Sequence, residues 1–168
     1  LLGDGEIQEG QIWEASMFAG ARKLDNLVLF VDNNGLQIDG NIADVCSPYP
    51  IDKKFEAFNF HVININGNDF DEIRAAFAEA RATKGMPTAI IAKTLKGKGV
   101  SFMENAVDWH GKAPNDDEYK IAMEDLEKEY DAVYISIGAQ TDKNFDIEGA
   151  GVRIGCLCNR CKQEAYYV

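Results

Sequence analysis

The sequence predicts an α/β protein in which helices flank a parallel sheet. Apolar, strand-like segments alternate with helical segments along residues 1–125, an order that is typical of parallel sheets. The segment 88–94 has an unbroken apolar centre at residues 89–92, as expected of a central strand that is covered on both faces. The chain has 168 residues, of which 46% are hydrophobic, so it is long enough to build a core of ordinary size.

The first expected elements are a strand, a helix and a second strand. Leu1 and Leu2 are expected to end the first strand, and an apolar run at residues 27–31 predicts the second. A strand, helix and strand of this length make a right-handed crossover between parallel strands. The carboxyl ends of neighbouring strands would then lie about 5 Å apart. The apolar residues that recur at helical spacing between the two strands are Trp13, Met17, Ala21 and Leu24.

The next segments continue the alternation. Two prolines predict an irregular loop over residues 41–50. Apolar spacing indicates a short helix over residues 52–58 and a strand over residues 61–65. His61 opens this strand beside aliphatic residues, so we interpret it as a structural histidine at a sheet edge.

Two further helices carry N-terminal capping signals. Asp69 and Glu72 predict a capping box, and glycine and proline after this helix mark its end. Its buried face is expected to hold Ile73, Phe77 and Ala80. Asn115 and Glu118 predict a second capping box, which opens an amphipathic helix that runs to about residue 129.

Charge and composition exclude several classes of partner. The chain carries 17 basic and 28 acidic residues, a formal net charge of −11, which argues against nucleic acid and against an anionic membrane surface. No signal peptide opens the chain, and no apolar run approaches the length of a membrane span. The 4 cysteines are too few and too clustered for a disulfide framework. We expect a cytoplasmic protein.

The residues that carry chemistry follow the first two predicted strands. Gly3, Asp4 and Gly5 follow the first strand, and Asn33 and Asn34 follow the second. The crossover would bring Asp4 and Asn34 to one crevice at the carboxyl ends of the strands, where open parallel sheets bind ligands. The alternative interpretation is a glycine turn and an Asn-Asn loop that bind nothing.

The residue types in this crevice favour a hard divalent cation. Asp4 offers a carboxylate oxygen and Asn34 a neutral carbonyl oxygen, which suit Mg²⁺ or Ca²⁺ rather than zinc. Because one carboxylate balances only part of a divalent charge, the site needs an anionic ligand such as a phosphate. Gly3 and Gly5 would let the backbone approach that ligand, and amides at the N-terminus of the following helix are expected to attract it.

The spacing of these motifs resembles a known family. Gly-Asp-Gly at residues 3–5 followed by Asn-Asn at 33–34 resembles the signature of thiamine diphosphate enzymes, and segments 5–15 and 34–40 resemble transketolase, especially its two-subunit bacterial form. The resemblance implies a thiamine diphosphate-binding fold, present in part, with thiamine diphosphate and Mg²⁺ or Ca²⁺ as cofactors. By position, the implied metal ligands are Asp4, Asn34 and the Leu36 backbone carbonyl. The implied cofactor-binding residues are Gly3, Asp4, Gly5, Glu9, Asn34, Ile38 and His110, with Glu9 also near the subunit interface.

His110 belongs to a separate motif. It follows a glycine-rich loop, residues 96–100, at the carboxyl end of the last apolar strand, and residues 108–114 resemble the transketolase segment whose histidine reaches the diphosphate and the substrate oxygens. The resemblance implies a catalytic role for His110, since an imidazole can donate a hydrogen bond to a phosphate or a developing alkoxide. We leave Lys96 and Lys98 outside the predicted site, because loop lysines are usually solvated.

The resemblance ends near residue 124. We therefore expect a diphosphate- and Mg²⁺-binding part, residues 1–125, and a strand-containing tail of different origin, residues 126–168. Within the tail, residues 130–149 resemble a piece of the flavin- and pyridine-nucleotide-linked reductases, although the chain has no Gly-x-Gly-x-x-Gly motif. A zinc or iron–sulfur site in the tail would need a fourth ligand. We interpret its three thiols as incidental: Cys156, Cys158 and Cys161.

The implied activity is transfer of a two-carbon ketol unit between sugar phosphates. Because the chain opens inside a strand, we expect it to be a fragment. The resemblance implies that this fragment is inactive alone, that it needs a complementary pyrimidine-binding subunit or domain, and that it assembles as a dimer or heterotetramer. The apolar face that an isolated chain should expose surrounds Trp13, Met17 and the Glu9 loop. The alternatives are a non-catalytic cofactor-holding subunit, another thiamine diphosphate enzyme (1-deoxyxylulose-phosphate synthase or 2-oxoacid dehydrogenase type), and a fragment of a flavin-linked oxidoreductase.

Overall fold

The computed structural model of the protein describes residues 1–134 and 156–157. It divides into one unit formed by Leu1–Lys98 and Phe102–Ala113, and a second formed by Gly99–Ser101 and the chain from Pro114 onward. In chain order, the elements of the first unit are β1 (Leu2–Gly3), a 3-10 turn (Glu6–Gln8), α1 (Gly10–Ala21), β2 (Val28–Asn33), β3 (Leu36–Gln37), β4 (Gly40–Asn41), α2 (Ile42–Cys46), α3 (Ile51–Ala57), β5 (His61–Asn66), α4 (Phe70–Ala82), β6 (Thr88–Lys93) and a second 3-10 turn (Val107–His110).

The main sheet of the first unit has four parallel strands in the order β1–β2–β6–β5. Gly3, Asp32 and Ala92 lie side by side on three neighbouring strands. The central strand β6 is buried from Thr88 to Ala92, because helices or strands cover it on all sides. The parallel α/β sheet and its central strand are therefore confirmed, and the carboxyl ends of the strands share one edge of the sheet.

β5 is an edge strand of this sheet, and His61 opens it as the sequence predicts. The His61 Nε2 atom lies 2.6 Å from Glu79 Oε1 of α4. This contact ties the edge strand to the helix that covers it, which agrees with a structural histidine.

Aromatic packing joins α1 to α3 on one face of the sheet. The Trp13 ring lies 5.3 Å from the Phe55 ring and 6.2 Å from the Phe58 ring, centroid to centroid. The two helices approach closely at Gly20, where an added Cβ would lie 1.7 Å from the Phe58 carbonyl oxygen. Only glycine fits this crossing. The apolar surface that α1 leaves exposed is centred on Met17 and Phe18 rather than on Trp13.

α4 covers the opposite face of the sheet. Ala76 and Ala80 are buried against Ile90 of β6. Phe77 stacks on Phe30 with ring centroids 6.0 Å apart, yet it remains 38% exposed. The predicted buried face of this helix is therefore correct at Ala80, whereas Phe77 lies at the exposed margin of that face.

Two local predictions are wrong in part. The Asp69 side chain accepts the backbone N–H groups of Asp71 and Glu72, but the Glu72 carboxylate accepts the Asn66 N–H at 2.7 Å instead of closing a capping box. Residues 41–50, predicted as an irregular loop, contain α2. The Asn41 side chain caps this helix, and both prolines follow its last residue, so neither interrupts it.

The second unit contains α5 (Asp116–Glu129), β7 (Val133–Tyr134) and β8 (Cys156–Leu157). The predicted capping box of Asn115 and Glu118 is present in full. Asp125 of α5 accepts the backbone N–H of Ser101 at 3.0 Å and its hydroxyl at 2.6 Å. β7 and β8 pair antiparallel.

Most of the predicted tail features lie outside the described residues. Of the strands expected in the tail, residues 126–168, β7 and β8 fall within the described residues. Cys158, Cys161 and nearly all of the reductase-like segment lie beyond them. None of the helices in the described part of the chain has the length and apolar character needed to cross a membrane.

Candidate functional site

A cavity of about 550 Å³ lies in the first unit, at the carboxyl ends of its strands. The predicted site residues that line it are Gly3, Asp4, Gly5, Asn34, Leu36, Ile38 and His110. Glu9 does not line it, because this residue is the exposed N-cap of α1. The fold therefore brings together three separate stretches of sequence, as the crossover argument predicts for Asp4 and Asn34.

Asp4 is held at the bottom of this cavity by the sheet. Its backbone N–H donates to the Asp32 carbonyl at 3.0 Å and so extends the pairing of β1 with β2. Its side chain is only 1% exposed, and its Oδ2 accepts the Gly35 N–H at 2.6 Å. Burial raises the pKa of the Asp4 carboxyl above its ordinary value, against the opposing effect of the Gly35 and Gly5 N–H donors. The charge of Asp32 also raises this pKa, and Lys93 lowers it.

Asn34 has a fixed amide orientation. The Leu36 N–H donates to Asn34 Oδ1 at 2.9 Å, and Asn34 Nδ2 donates to Asp32 Oδ2 at 3.4 Å. The other oxygen of Asp32, Oδ1, accepts a hydrogen bond from the Thr94 hydroxyl. Asp32 is therefore a further carboxylate in the cavity, beside Asp4, Glu6 and Asp39, and its two oxygens have donors from the protein.

His110 reaches the cavity on the loop that follows β6. Gly97 has a φ of +71°, and an added Cβ there would lie 2.4 Å from the Met103 carbonyl oxygen, so the loop folds closely on itself. The Trp109 indole N–H donates to the Phe102 carbonyl at 3.1 Å and anchors the 3-10 turn. His110 is exposed, and its Nδ1 lies 3.5 Å from Lys96 Nζ. The cavity thus contains two potential donors to an anion.

Five residues that line the cavity are absent from the predicted site: Glu6, Asp32, Gln37, Asp39 and Lys96. Asp32 directly precedes the Asn pair at the end of a predicted strand, so its position in the sequence could have indicated that it belongs to the site. Lys96 lies in the glycine-rich loop before His110, but a lysine in a loop carries no signal of where its side chain points. The expected helix N-terminus also differs: a 3-10 turn separates Gly5 from α1, which begins at Gly10.

The residues present fit a hard cation together with an anionic ligand. Asp4 is a buried carboxylate whose donors are backbone N–H groups, so a cation would relieve the cost of its charge. Asn34 and the backbone at Leu36 add neutral oxygens on the same cavity. Across residues 1–134 and 156–157 no group of three His, Cys, Asp or Glu side chains could hold a metal. Oxygens of a bound anion would add to the coordination of a metal that Asp4 and Asn34 hold.

The parallel sheet and this oxygen-rich cavity define an α/β domain in which acidic side chains and a basic loop line one cavity at the carboxyl ends of the strands. Comparison with known proteins identifies the family. Residues 1–150 match the family described as "Transketolase, thiamine diphosphate binding domain". The chain belongs to this family. The match runs past residue 125, and the division expected there stays a prediction.

Individual relatives agree with this assignment. The chain is 44% identical over 129 residues to the 6-deoxy-6-sulfo-D-fructose transketolase subunit SqwG of Clostridium sp. (strain MSTE9), covering 77% of this chain and 47% of that protein. It is 43% identical over 129 residues to one subunit of the apulose-4-phosphate transketolase of Actinobacillus succinogenes, covering 77% of this chain and 46% of that protein. The crystal structure of transketolase from Campylobacter jejuni superposes with a TM-score of 0.70 at 37% identity, over 75% of this chain and 20% of that one. The chain spans about half the length of the curated subunits it matches.

Proposed function

We propose that this chain supplies the thiamine diphosphate- and Mg²⁺-binding part of a cytoplasmic transketolase-type transferase, and that a complementary pyrimidine-binding subunit or domain completes the active site. The reaction is transfer of a two-carbon ketol unit between sugar phosphates. The observation that carries the proposal is the cavity that gathers Asp4, Asn34, Leu36 and His110 at the carboxyl ends of the strands. Relatives named as transketolase subunits support the need for a partner chain.

In this proposal the residues of the cavity bind and orient the cofactor. Asp4, the Asn34 amide oxygen and the Leu36 carbonyl hold Mg²⁺, or Ca²⁺, together with diphosphate oxygens. Gly3 and Gly5 have no side chains, so the diphosphate can approach the backbone at these positions. Bound thiamine diphosphate supplies the nucleophilic carbon and the electron sink for cleaving a carbon–carbon bond beside a carbonyl.

Three further residues have proposed roles toward the cofactor or substrate. Ile38, which is 71% exposed at the cavity, packs on the cofactor. Glu9, outside the cavity, lies near the interface with the complementary subunit. Lys96 donates to the diphosphate and also to His110 Nδ1, 3.5 Å away. This contact keeps the imidazole proton on Nε2, which is the atom that donates to a cofactor or substrate oxygen.

Titration of thiamine diphosphate into the chain, followed by tryptophan fluorescence, tests cofactor binding. We expect saturable binding that requires Mg²⁺ and is abolished by EDTA, because the cavity offers too few cations to balance a diphosphate alone. Absence of Mg²⁺-dependent binding would overturn the proposal. Asp71→Asn removes an exposed carboxylate of α4. This variant should bind thiamine diphosphate as the parent does, and it therefore controls for a nonspecific effect of net charge.

Turnover with and without a complementary pyrimidine-binding subunit tests the reaction. We expect ketol transfer from a ketose phosphate to an aldose phosphate only when both components are present. Cofactor binding without turnover in the mixture would instead favour a non-catalytic, cofactor-holding subunit.

A further inference from the structure

Asp32 lies at the centre of a polar network beside Asn34. In the sheet, Asp32 pairs with Gly3 on one side and with Ala92 on the other, so both neighbouring strands fix its backbone. Its side-chain Oδ1 accepts the Thr94 hydroxyl, and its Oδ2 accepts Asn34 Nδ2 at 3.4 Å. The orientation of the Asp32 carboxylate is thereby set by residues at the ends of two different strands.

The network determines which atom Asn34 offers to a ligand. An asparagine can present either an oxygen or an NH₂ group, and only the oxygen can bind a cation. The Leu36 N–H donates to Oδ1 at 2.9 Å, and the NH₂ group donates to Asp32. Both contacts require the same amide orientation. Oδ1 keeps a second lone pair, and Asn34 lines the cavity.

On the basis of the proposed function, we infer that Asp32, held by Thr94, is a positioning residue that fixes the Asn34 amide and thereby makes the site favour Mg²⁺ over Ca²⁺. Mg²⁺ demands near-ideal octahedral geometry at short metal–oxygen distances, whereas Ca²⁺ accepts variable geometry and longer distances. A loosely oriented Asn34 therefore weakens Mg²⁺ binding much more than Ca²⁺ binding.

This role differs measurably from a purely electrostatic one. If Asp32 acted through its charge alone, its loss would weaken both divalent cations by a similar factor, since they carry the same charge. The ratio of the Ca²⁺ and Mg²⁺ affinities therefore separates orientation from charge. Substitution of Thr94 is the cleanest perturbation, because it changes the orientation of Asp32 and leaves every charge in place.

The experiment measures the concentrations of Mg²⁺ and of Ca²⁺ that half-saturate thiamine diphosphate binding to the whole chain. Thr94→Val removes the hydroxyl at nearly constant volume, and we expect Mg²⁺ to bind roughly 10-fold more weakly, the usual effect of losing a partner that orients a metal ligand. Ca²⁺ should change much less. Thr94→Ser keeps the hydroxyl and should restore the preference for Mg²⁺.

Two charge variants complete the test. Asp32→Asn removes the charge but keeps both contacts when its amide oxygen accepts from Asn34 Nδ2 and its NH₂ group donates to the Thr94 hydroxyl oxygen. Both ions should then weaken by a similar factor, and the ratio should hold. Asp71→Asn should change neither ion. Asp32→Glu, which keeps the charge but displaces the carboxylate, replaces Thr94→Val if circular dichroism shows that the valine variant does not fold.

The outcomes separate the inference from the proposed function. Unchanged Mg²⁺ binding in Thr94→Val and Asp32→Glu, or an equal weakening of Mg²⁺ and Ca²⁺ in them, overturns the positioning role while the cofactor site stands. A parent chain that binds no thiamine diphosphate with either ion removes the proposed function, and the inference with it.

Discussion

Asp4 is a carboxylate that the fold alone does not favour in its charged form. Burial raises its pKa, so the ionised side chain destabilises the folded chain. This cost is complete above the raised pKa, shrinks as the pH falls below it, and is absent below the ordinary value of 3.8. A residue that weakens the fold in this way is a candidate for ligand binding.

We expect Asp4→Asn to separate binding from stability. Replacement of the charged ligand by a neutral amide should lower Mg²⁺ affinity at least as much as loss of an orienting partner, so by roughly 10-fold or more. The Tm of the metal-free chain should not fall, because the amide carries no buried charge. Mg²⁺ titration with thiamine diphosphate and thermal unfolding at neutral pH measure the two effects. Binding within twofold of the parent would show that Asp4 is not a ligand.

His110 presents the opposite case, an exposed side chain whose contribution to folding should be small. We expect His110→Ala, assayed with the complementary subunit, to lower turnover about 100-fold, the usual cost of one donor to a developing charge. Its urea unfolding midpoint should stay close to that of the parent. Turnover within twofold of the parent would leave His110 as a solvated loop residue.

Ser101 and Asp125 provide a pH-dependent contact in the second unit. The Ser101 hydroxyl and N–H donors hold the pKa of Asp125 below its ordinary 3.8. The contact therefore stabilises the folded chain above that ordinary value, and the stabilisation is lost as the pH falls from 3.8 through the lowered pKa. In Ser101→Ala, the pKa of Asp125 should rise toward 3.8, as followed by NMR of the carboxyl carbon. An unchanged titration curve would contradict this role of the hydroxyl.

At the scale of elements, the crossing of α1 and α3 depends on Gly20, a residue that has no side chain. The Gly20→Ala variant would place its Cβ 1.7 Å from the Phe58 carbonyl oxygen, so the helices must separate. We expect a loss of about 3 kcal/mol in the free energy of unfolding, as in a strongly overpacked core. Gly10→Ala is the matched control in the same helix, since nothing lies within 4 Å of its added Cβ. Equal stability of the two variants in urea would contradict the close approach.

The elements that the sequence predicts well are those with a strong apolar period. The strands at Val28–Asn33, His61–Asn66 and Thr88–Lys93 lie within two residues of their expected positions, because burial on the sheet selects the same residues that the pattern shows. The sequence did not predict α2, because this helix is only five residues long. It has too few apolar positions for a helical periodicity to be visible. Its cap, Asn41, was the only local signal.

The candidate site follows the same division. Asp4 and Asn34 could be placed together from the sequence because parallel strands align their carboxyl ends. Asp32, which directly precedes the Asn pair, could have been added by the same reasoning. Lys96 could not, since its position depends on the direction of a loop side chain. The hydroxyl of Thr94, which sets the Asp32 carboxylate, lies 62 residues away in the chain, and a contact of that separation leaves no trace in a single sequence.

At the scale of the whole molecule, the apolar surface of α1 is expected to mediate association. Met17 and Phe18 are 56% and 58% exposed, which is unusual for adjacent large apolar residues on one helix. We expect the chain to sediment as a dimer, or as a heterotetramer with the complementary subunit, and a Met17→Glu, Phe18→Glu variant to dissociate. Phe70→Glu, at a residue that is 76% exposed on α4, is the control. Association that survives the double substitution would place the interface elsewhere.

The alignment of Gly3, Asp32 and Ala92 across three strands has a genetic consequence. An extra codon in the connection between α1 and β2, residues 22–27, lengthens a turn and leaves the alignment intact. The same insertion inside Val28–Asp32 moves every later side chain of that strand to the opposite face, and separates Asp32 from Thr94. Among descendants of this gene, length changes should therefore accumulate in the connection and be purged from the strand.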